Sequence, residues 1–383
     1  MAVSAALDES VLDDPATLTA RDPGEMLRAV ATAGAQVREA VLRTGEADLA
    51  RVVEDDRPRA VVVAGMGGSG ITGDVLAAVA GIGCPVPMVA CRGYRLPGWV
   101  GPMDLVVAVS CSGRTEETLA VADEALRRGT RLVTVGQQGS PLAERASGGR
   151  AVHLPVDGGG RMPRTNMWAL SVPILVLADA LGLMSVPGTV LDEVADELDR
   201  ISAACAPGVE TYTNPAKRLA VDLAGTLPYV WGSSELAGVA AYRFACQLAE
   251  NAKLPAVSGV LPEAHHNQVV ALAGRFGAGA GGGEDIFRDR VEDASDWPPI
   301  RLLLLRDSEE LPEVARRRGA TTEVAERYGV GVQELVASGE HPLARLASLV
   351  APTDFASVYL ALLQGMDPTP IDPIVFLKER ISP

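Results

Sequence analysis

Three sets of residues in this chain have types and spacings suited to chemistry. The first is Gly65, Gly67, Gly68 and Gly70 with Ser69 among them, inside AVVVAGMGGSGITGDVL from Ala60 to Leu76. The second is Ser110-Cys111-Ser112-Gly113-Arg114-Thr115. The third is Glu250-Asn251-Ala252-Lys253, followed by LPAVSGVLPEAHHNQ with His265 and His266. Glycines let a ligand approach main-chain N–H groups, and a helix start adds the positive end of a dipole. The first set therefore reads as a phosphate cradle. The second can turn three hydroxyls and several amides toward one point, which suits a phosphomonoester. In the third, Glu250 sits where an apolar helix face (Phe244, Cys246, Leu248) ends, a setting for a carboxylate base, and histidine moves protons near neutrality. Adjacent histidines without further ligand spacing make a poor metal site, so none is expected.

Each set also has a plainer reading. The glycines would form an ordinary tight turn, and Ser112 or Thr115 would cap its own helix. Glu250 would be a solvated helix residue, and the histidines a solvent-facing loop or a packed imidazole. Gly65, Gly67 and Gly70 also fit the dinucleotide spacing. The next strand leads to Arg92 rather than to an acidic residue, which leaves only an NADP reader open.

The elements that must position these residues follow from the apolar pattern. Ala60 to Val63 reads as a buried strand, and Ile71, Val75, Leu76 and Val79 as a helix face. Strands are expected around Val86 to Ala90, over Met103 to Val109 and over Arg131 to Val135. A helix over Leu119 to Leu126 would be capped by Gly129. This alternation predicts an α/β chain with a parallel, doubly wound sheet. The second half echoes the first: Leu227 to Gly232 runs into Ser233-Ser234 and a helix, and Ile300 to Leu305 is a pure buried strand. We expect a duplicated αβα sandwich in which only the first copy keeps the cradle. The divisions are an N-terminal segment (1–25), a first domain (26–190), a linker helix (191–215) and a second domain (216–383). Gly277 to Gly283 reads as a mobile loop.

Composition narrows the function. A formal net charge of −15 argues against a nucleic-acid partner. Five scattered cysteines without CxxC spacing fit reduced thiols. The N-terminal stretch lacks signal-peptide features, and no uninterrupted apolar run is long enough to span a bilayer. A cytoplasmic protein with no membrane partner is expected.

GMGGSGITGDVL, SCSGRTEETL, the Pro163-Arg164 step, ENAK with LPEAHHN, and the terminal LKERI together resemble the sugar isomerase (SIS) domain proteins. Among these the chain is similar to the bifunctional phosphoglucose/phosphomannose isomerases, from about residue 25 onward. The resemblance implies two SIS domains with parallel sheets and a homodimer with shared active sites. It implies no metal or organic cofactor. It places Ser69, Ser110, Ser112 and Thr115, with Gly68 beside them, on a sugar 6-phosphate. Glu250 would shuttle a proton between C1 and C2 through a cis-enediol. His266, delivered from the partner subunit, would open the ring, assisted by Lys378, and Arg164 would steady the enediolate. Thr369 is a candidate hydroxyl near C2–C3. The implied reaction interconverts fructose 6-phosphate with glucose 6-phosphate, mannose 6-phosphate or both. The family usually has Tyr at Cys111, Asn at Arg114, and Asn-His-Asn-Glu at His265 to Gln268; these departures bear on the preferred sugar. The alternative class is a sugar-phosphate-binding SIS regulator without turnover, which would not need Glu250, His266 or Lys378. An amidotransferase-type isomerase would need a glutaminase domain with a nucleophilic N-terminus, which this sequence does not contain.

Overall fold

Val61 to Ala64 form the first strand, β1, and all four are buried. A strand buried on both faces needs parallel neighbours covered by helices. In this computed structural model, which describes residues 7–54, 56–148, 151–274, 276–277 and 298–381, β1 has both. β2 (Met88–Cys91) pairs on one side and β3 (Leu105–Ser110) on the other, with β4 (Arg131–Gly136) and β5 (Val152–Pro155) beyond. The order is β2-β1-β3-β4-β5, and every pairing is parallel. The chain reverses its winding between β1 and β3. The carboxyl ends of those two strands therefore face a crevice that helices leave open, the usual ligand position of such a sheet.

The second sheet contains β6 (Leu227–Gly232), β7 (Val257–Val260), β8 (Ile300–Arg306) and β9 (Gly331–Val336), again all parallel. Its order, β7-β6-β8-β9, repeats the first four strands of the other sheet. Two compact units result. Residues 31–200 with 340–344 carry β1 to β5, and residues 1–30, 201–339 and 345–383 carry β6 to β9. Of the expected Gly277 to Gly283 loop, all but Gly277 lies outside the described residues.

A strongly apolar helix runs from Met167 to Ala180, starting after Asn166, whose side chain makes no cap hydrogen bond. The helix Pro342–Leu363 is, by length and composition alone, long and apolar enough to cross a membrane, although Arg345 and Asp354 interrupt its apolar run. That helix is a buried core element and carries its own ionic partners: Arg345 and Asp354 are each within 6% of full burial.

Three side-chain pairs fasten the helix Glu235–Asn251, which carries Glu250, to Pro342–Leu363. Arg243 grips Asp354 with two nitrogens, Nε to Oδ1 at 2.9 Å and a terminal nitrogen to Oδ2 at 2.6 Å. One turn on, the Gln247 amide donates to Asp354 Oδ1 at 3.2 Å, and a further turn on Asn251 donates to Ser357 Oγ at 2.8 Å. Spacings of four place all three donors on one face. Removing one partner of a buried ion pair strands the other charge, whereas replacing both with apolar groups does not. Asp354→Ala should therefore cost about 3–5 kcal/mol in urea unfolding, and Arg243→Met with Asp354→Leu should recover most of that loss.

Candidate active site

The first unit gathers the glycine and serine residues at the crevice. After β1 the chain makes a single 3-10 turn over Gly67–Ser69 and enters the helix Ile71–Ala80. Gly67 stands at φ +53°, a conformation that favours glycine. A Cβ on Gly68 would lie 3.2 Å from the Pro163 carbonyl oxygen and 3.3 Å from Arg164 Cα, so a side chain here would press the two turns apart by a few tenths of an ångström. Arg164, 2% exposed, is thus brought to the cradle. Its turn, Pro163–Thr165, is held from behind by Gln36, whose amide donates to the Thr165 carbonyl at 2.8 Å.

The turn after β3 is tied to the first by one bond. The Cys111 N–H donates to Ser69 Oγ at 3.2 Å. The buried Ser110 hydroxyl lies 2.8 Å from Thr115 Oγ1. Thr115 is the N-cap of the helix Glu116–Arg128, yet its side chain does not cap that helix. The helix start therefore keeps amides and the positive dipole end free of a hydroxyl cap, and an anion is favoured there. For Thr115 the plain capping reading fails. The exposed Ser112 does not cap the helix either: it accepts from the Arg114 N–H at 3.3 Å, in the turn ahead of it.

Sequence reasoning missed Asn166 and Arg161. Asn166 is fully buried, donates to Cys111 Sγ at 3.6 Å, and accepts from Arg161 Nε at 2.9 Å. Burial pushes the Cys111 thiol up, only partly offset by the Asn166 hydrogen bond and the Arg161 charge. At neutral pH Cys111 is a thiol and not a nucleophile. Arg92, the residue that left a dinucleotide reading open, forms an ion pair with Asp74 and donates to the Gly70 carbonyl.

Glu250, His266 and Lys378 belong to the other unit. Glu250 is half-buried, one residue before the end of its helix. The two histidines have separated roles. His265 Nε2 lies 2.6 Å from Thr321 Oγ1, and its ring meets Trp231 edge to face at 6.0 Å. Burial, then the Arg317 and His266 charges, lower its pKa and keep it neutral. His266 is exposed in the turn Glu263–His266. Gln268 accepts from Trp231 Nε1 at 2.7 Å and donates to the Ser258 carbonyl at 3.0 Å. An ionised glutamate there would lack the donor, so the amide suits this pair of partners. Lys378 lies on the exposed helix Asp372–Ile381. Among the described residues, no group of three or more His, Cys, Asp and Glu side chains is placed to hold a metal ion.

The second copy treats the equivalent corner differently. Ser233 Oγ accepts from the N–H of Asp307, the residue directly after β8, at 2.8 Å. That repeats the Ser69–Cys111 bond. Here, however, the side chain after the strand is itself an anion. Asp307 accepts from Ser234 Oγ at 2.8 Å and pairs with Arg345 Nε at 2.8 Å, and Asp307 and Arg345 are both buried.

Comparison with known proteins agrees with this architecture. A bifunctional phosphoglucose/phosphomannose isomerase of Caldicellulosiruptor bescii is 31% identical over 84% of this chain and 89% of its own length. The chain belongs to that family. A second member, from Aquifex aeolicus, is 30% identical over 85% of this chain and 91% of its own. The profile of the bacterial phospho-glucose isomerase C-terminal SIS domain matches residues 212–381. In fold, the chain is similar to a putative phosphosugar isomerase of Clostridium difficile, with a TM-score of 0.67, 13% identity, and 92% and 97% of the two chains covered. Both sheets are thus those of SIS domains.

The two turns meet at Gly68. Gly68→Ala should push the Pro163-Arg164 turn outward and weaken inorganic phosphate binding by about tenfold, or about 1.4 kcal/mol, in titration calorimetry. The melting temperature should move far less.

Proposed function

We propose that this chain is an aldose–ketose isomerase that interconverts fructose 6-phosphate with glucose 6-phosphate, mannose 6-phosphate or both. The observation that carries the proposal is Thr115, an N-cap residue turned away from its helix to Ser110. That arrangement supports a phosphate resting on hydroxyls, glycine amides and a helix start. In this reading Gly68, Ser69, Ser110, Ser112 and Thr115 hold the 6-phosphate. Glu250 removes the proton from C2 of the open-chain aldose. The C–H electron pair becomes the C1–C2 double bond, and the carbonyl oxygen at C1 takes a proton to give a cis-enediol. Return of the proton to C1, with loss of the C2 hydroxyl proton, gives the ketose. Arg164 stabilises the charge that develops on the enediolate oxygens, where a preorganised cation acts most strongly. His266 and Lys378 act on the ring oxygen during opening.

The test is to incubate fructose 6-phosphate with the protein in deuterated water and follow products by NMR. Glucose or mannose 6-phosphate carrying deuterium at C2 is expected, and its identity gives the epimer. Loss of a general base lowers turnover by about 10²–10⁴-fold, and Glu250→Gln should do so while still binding the substrate. Exchange retained in that variant would remove Glu250 from the role. Binding with neither product nor exchange would favour the regulator.

The proposed assembly is a homodimer. The helix Asp372–Ile381 has no buried residue, and Ile374, Leu377 and Ile381 lie along one face at 38%, 60% and 62% exposure. An apolar stripe of this kind on an outlying helix is a surface for association. Sedimentation velocity should find dimers for the unaltered protein and monomers for Leu377→Glu; a monomeric unaltered protein would refute the assembly.

A further inference from the structure

Lys253 is two residues beyond the helix that carries Glu250, and its backbone stands at φ +54°. A residue with a side chain adopts that conformation at a cost, and glycine is the usual choice after a helix. The side chain accounts for the exception. Lys253 Nζ donates to the Glu250 carbonyl at 2.6 Å, to the Pro370 carbonyl at 2.8 Å and to the Pro368 carbonyl at 3.3 Å. One ammonium group thus uses its three donors on two strands of chain distant in sequence. Its charge also lies at the negative end of the Glu235–Asn251 helix dipole.

The second strand of chain is the turn that launches the C-terminal helix. Asp367-Pro368-Thr369-Pro370 is stiffened by its prolines, and the Thr369 N–H donates to Asp367 Oδ1 at 2.8 Å. It is confined on its far side as well: a Cβ on Gly24 would lie 2.0 Å from Thr369 Oγ1. Two residues beyond Pro370 the helix Asp372–Ile381 begins, with Lys378 on it.

We propose that Lys253 is a positioning residue for the isomerisation: it fixes the end of the Glu250 helix against the 368–370 turn, and so sets Glu250, Thr369 and the departure of the Lys378 helix as one unit. This rests on the isomerase reading above. The side chain acts through the backbone of Glu250 and of the turn that carries Thr369.

Two variants separate this role from simple helix termination. Lys253→Gly relieves the backbone but removes the ammonium, and Lys253→Met keeps the length without donors. Both should lower kcat at least tenfold, with KM for fructose 6-phosphate within twofold. Both should also increase amide hydrogen exchange in peptides covering 364–377, while β6 and β8 keep their protection. Lys253→Gly with unaltered kcat would reduce Lys253 to a helix terminator and overturn the proposal. Unchanged exchange over 364–377 in either variant would overturn it too. If the unaltered protein itself shows no isomerisation, the functional reading fails on its own, and the exchange measurement still decides whether the tie exists.

Discussion

The hydrogen bond from the Cys111 N–H to Ser69 Oγ holds together the two turns on which the rest of the first unit's crevice depends. Ser69 follows β1 and Cys111 follows β3, the pair of strands between which the winding reverses. The bond is long at 3.2 Å, and the chain around it packs so closely that two glycines have no room for a side chain. A Cβ on Gly65 would meet the Ser69 carbonyl oxygen at 2.9 Å, and one on Gly136 would meet the Ser110 carbonyl oxygen at 2.1 Å. Small residues here are conditions of approach, because each larger one would push a hydroxyl away from the common point.

The second unit solves a different problem. A carboxylate that is to act as a base must be held while remaining reachable. Glu250 stands near the end of a helix that Arg243, Gln247 and Asn251 lock in place. The buried polar contacts make the helix register unique, since sliding it by one residue would leave several of them unsatisfied.

Much of this was legible in the sequence because the signals were local. The β-branched run before Gly65, the glycines themselves and Gly129 as a left-handed helix cap all follow from backbone constraints that a single stretch carries. The duplication was legible too, because a strand running into Ser233-Ser234 and the pure buried strand Ile300 to Leu305 echo the first half. What escaped notice depends on partners far away in the chain. Asn166 and Gln36 look like ordinary polar residues, and only the fold brings Asn166 to Cys111 and Gln36 to Thr165. The two histidines could not be told apart, since Thr321 and Trp231, which claim His265, lie far from it in sequence.

Asp307 gives the duplication its asymmetry. In the first copy the residue after the third strand is a neutral cysteine; in the second it is a carboxylate already paired with Arg345 and Ser234. An incoming phosphate at that corner would find its cation engaged and a negative charge in residence, and each such like-charge encounter in a buried setting is strongly unfavourable. The second copy therefore carries its own permanent tenant. Repeating the sheet has not repeated the corner: the second copy keeps a carboxylate and its arginine where the first keeps hydroxyls and amides.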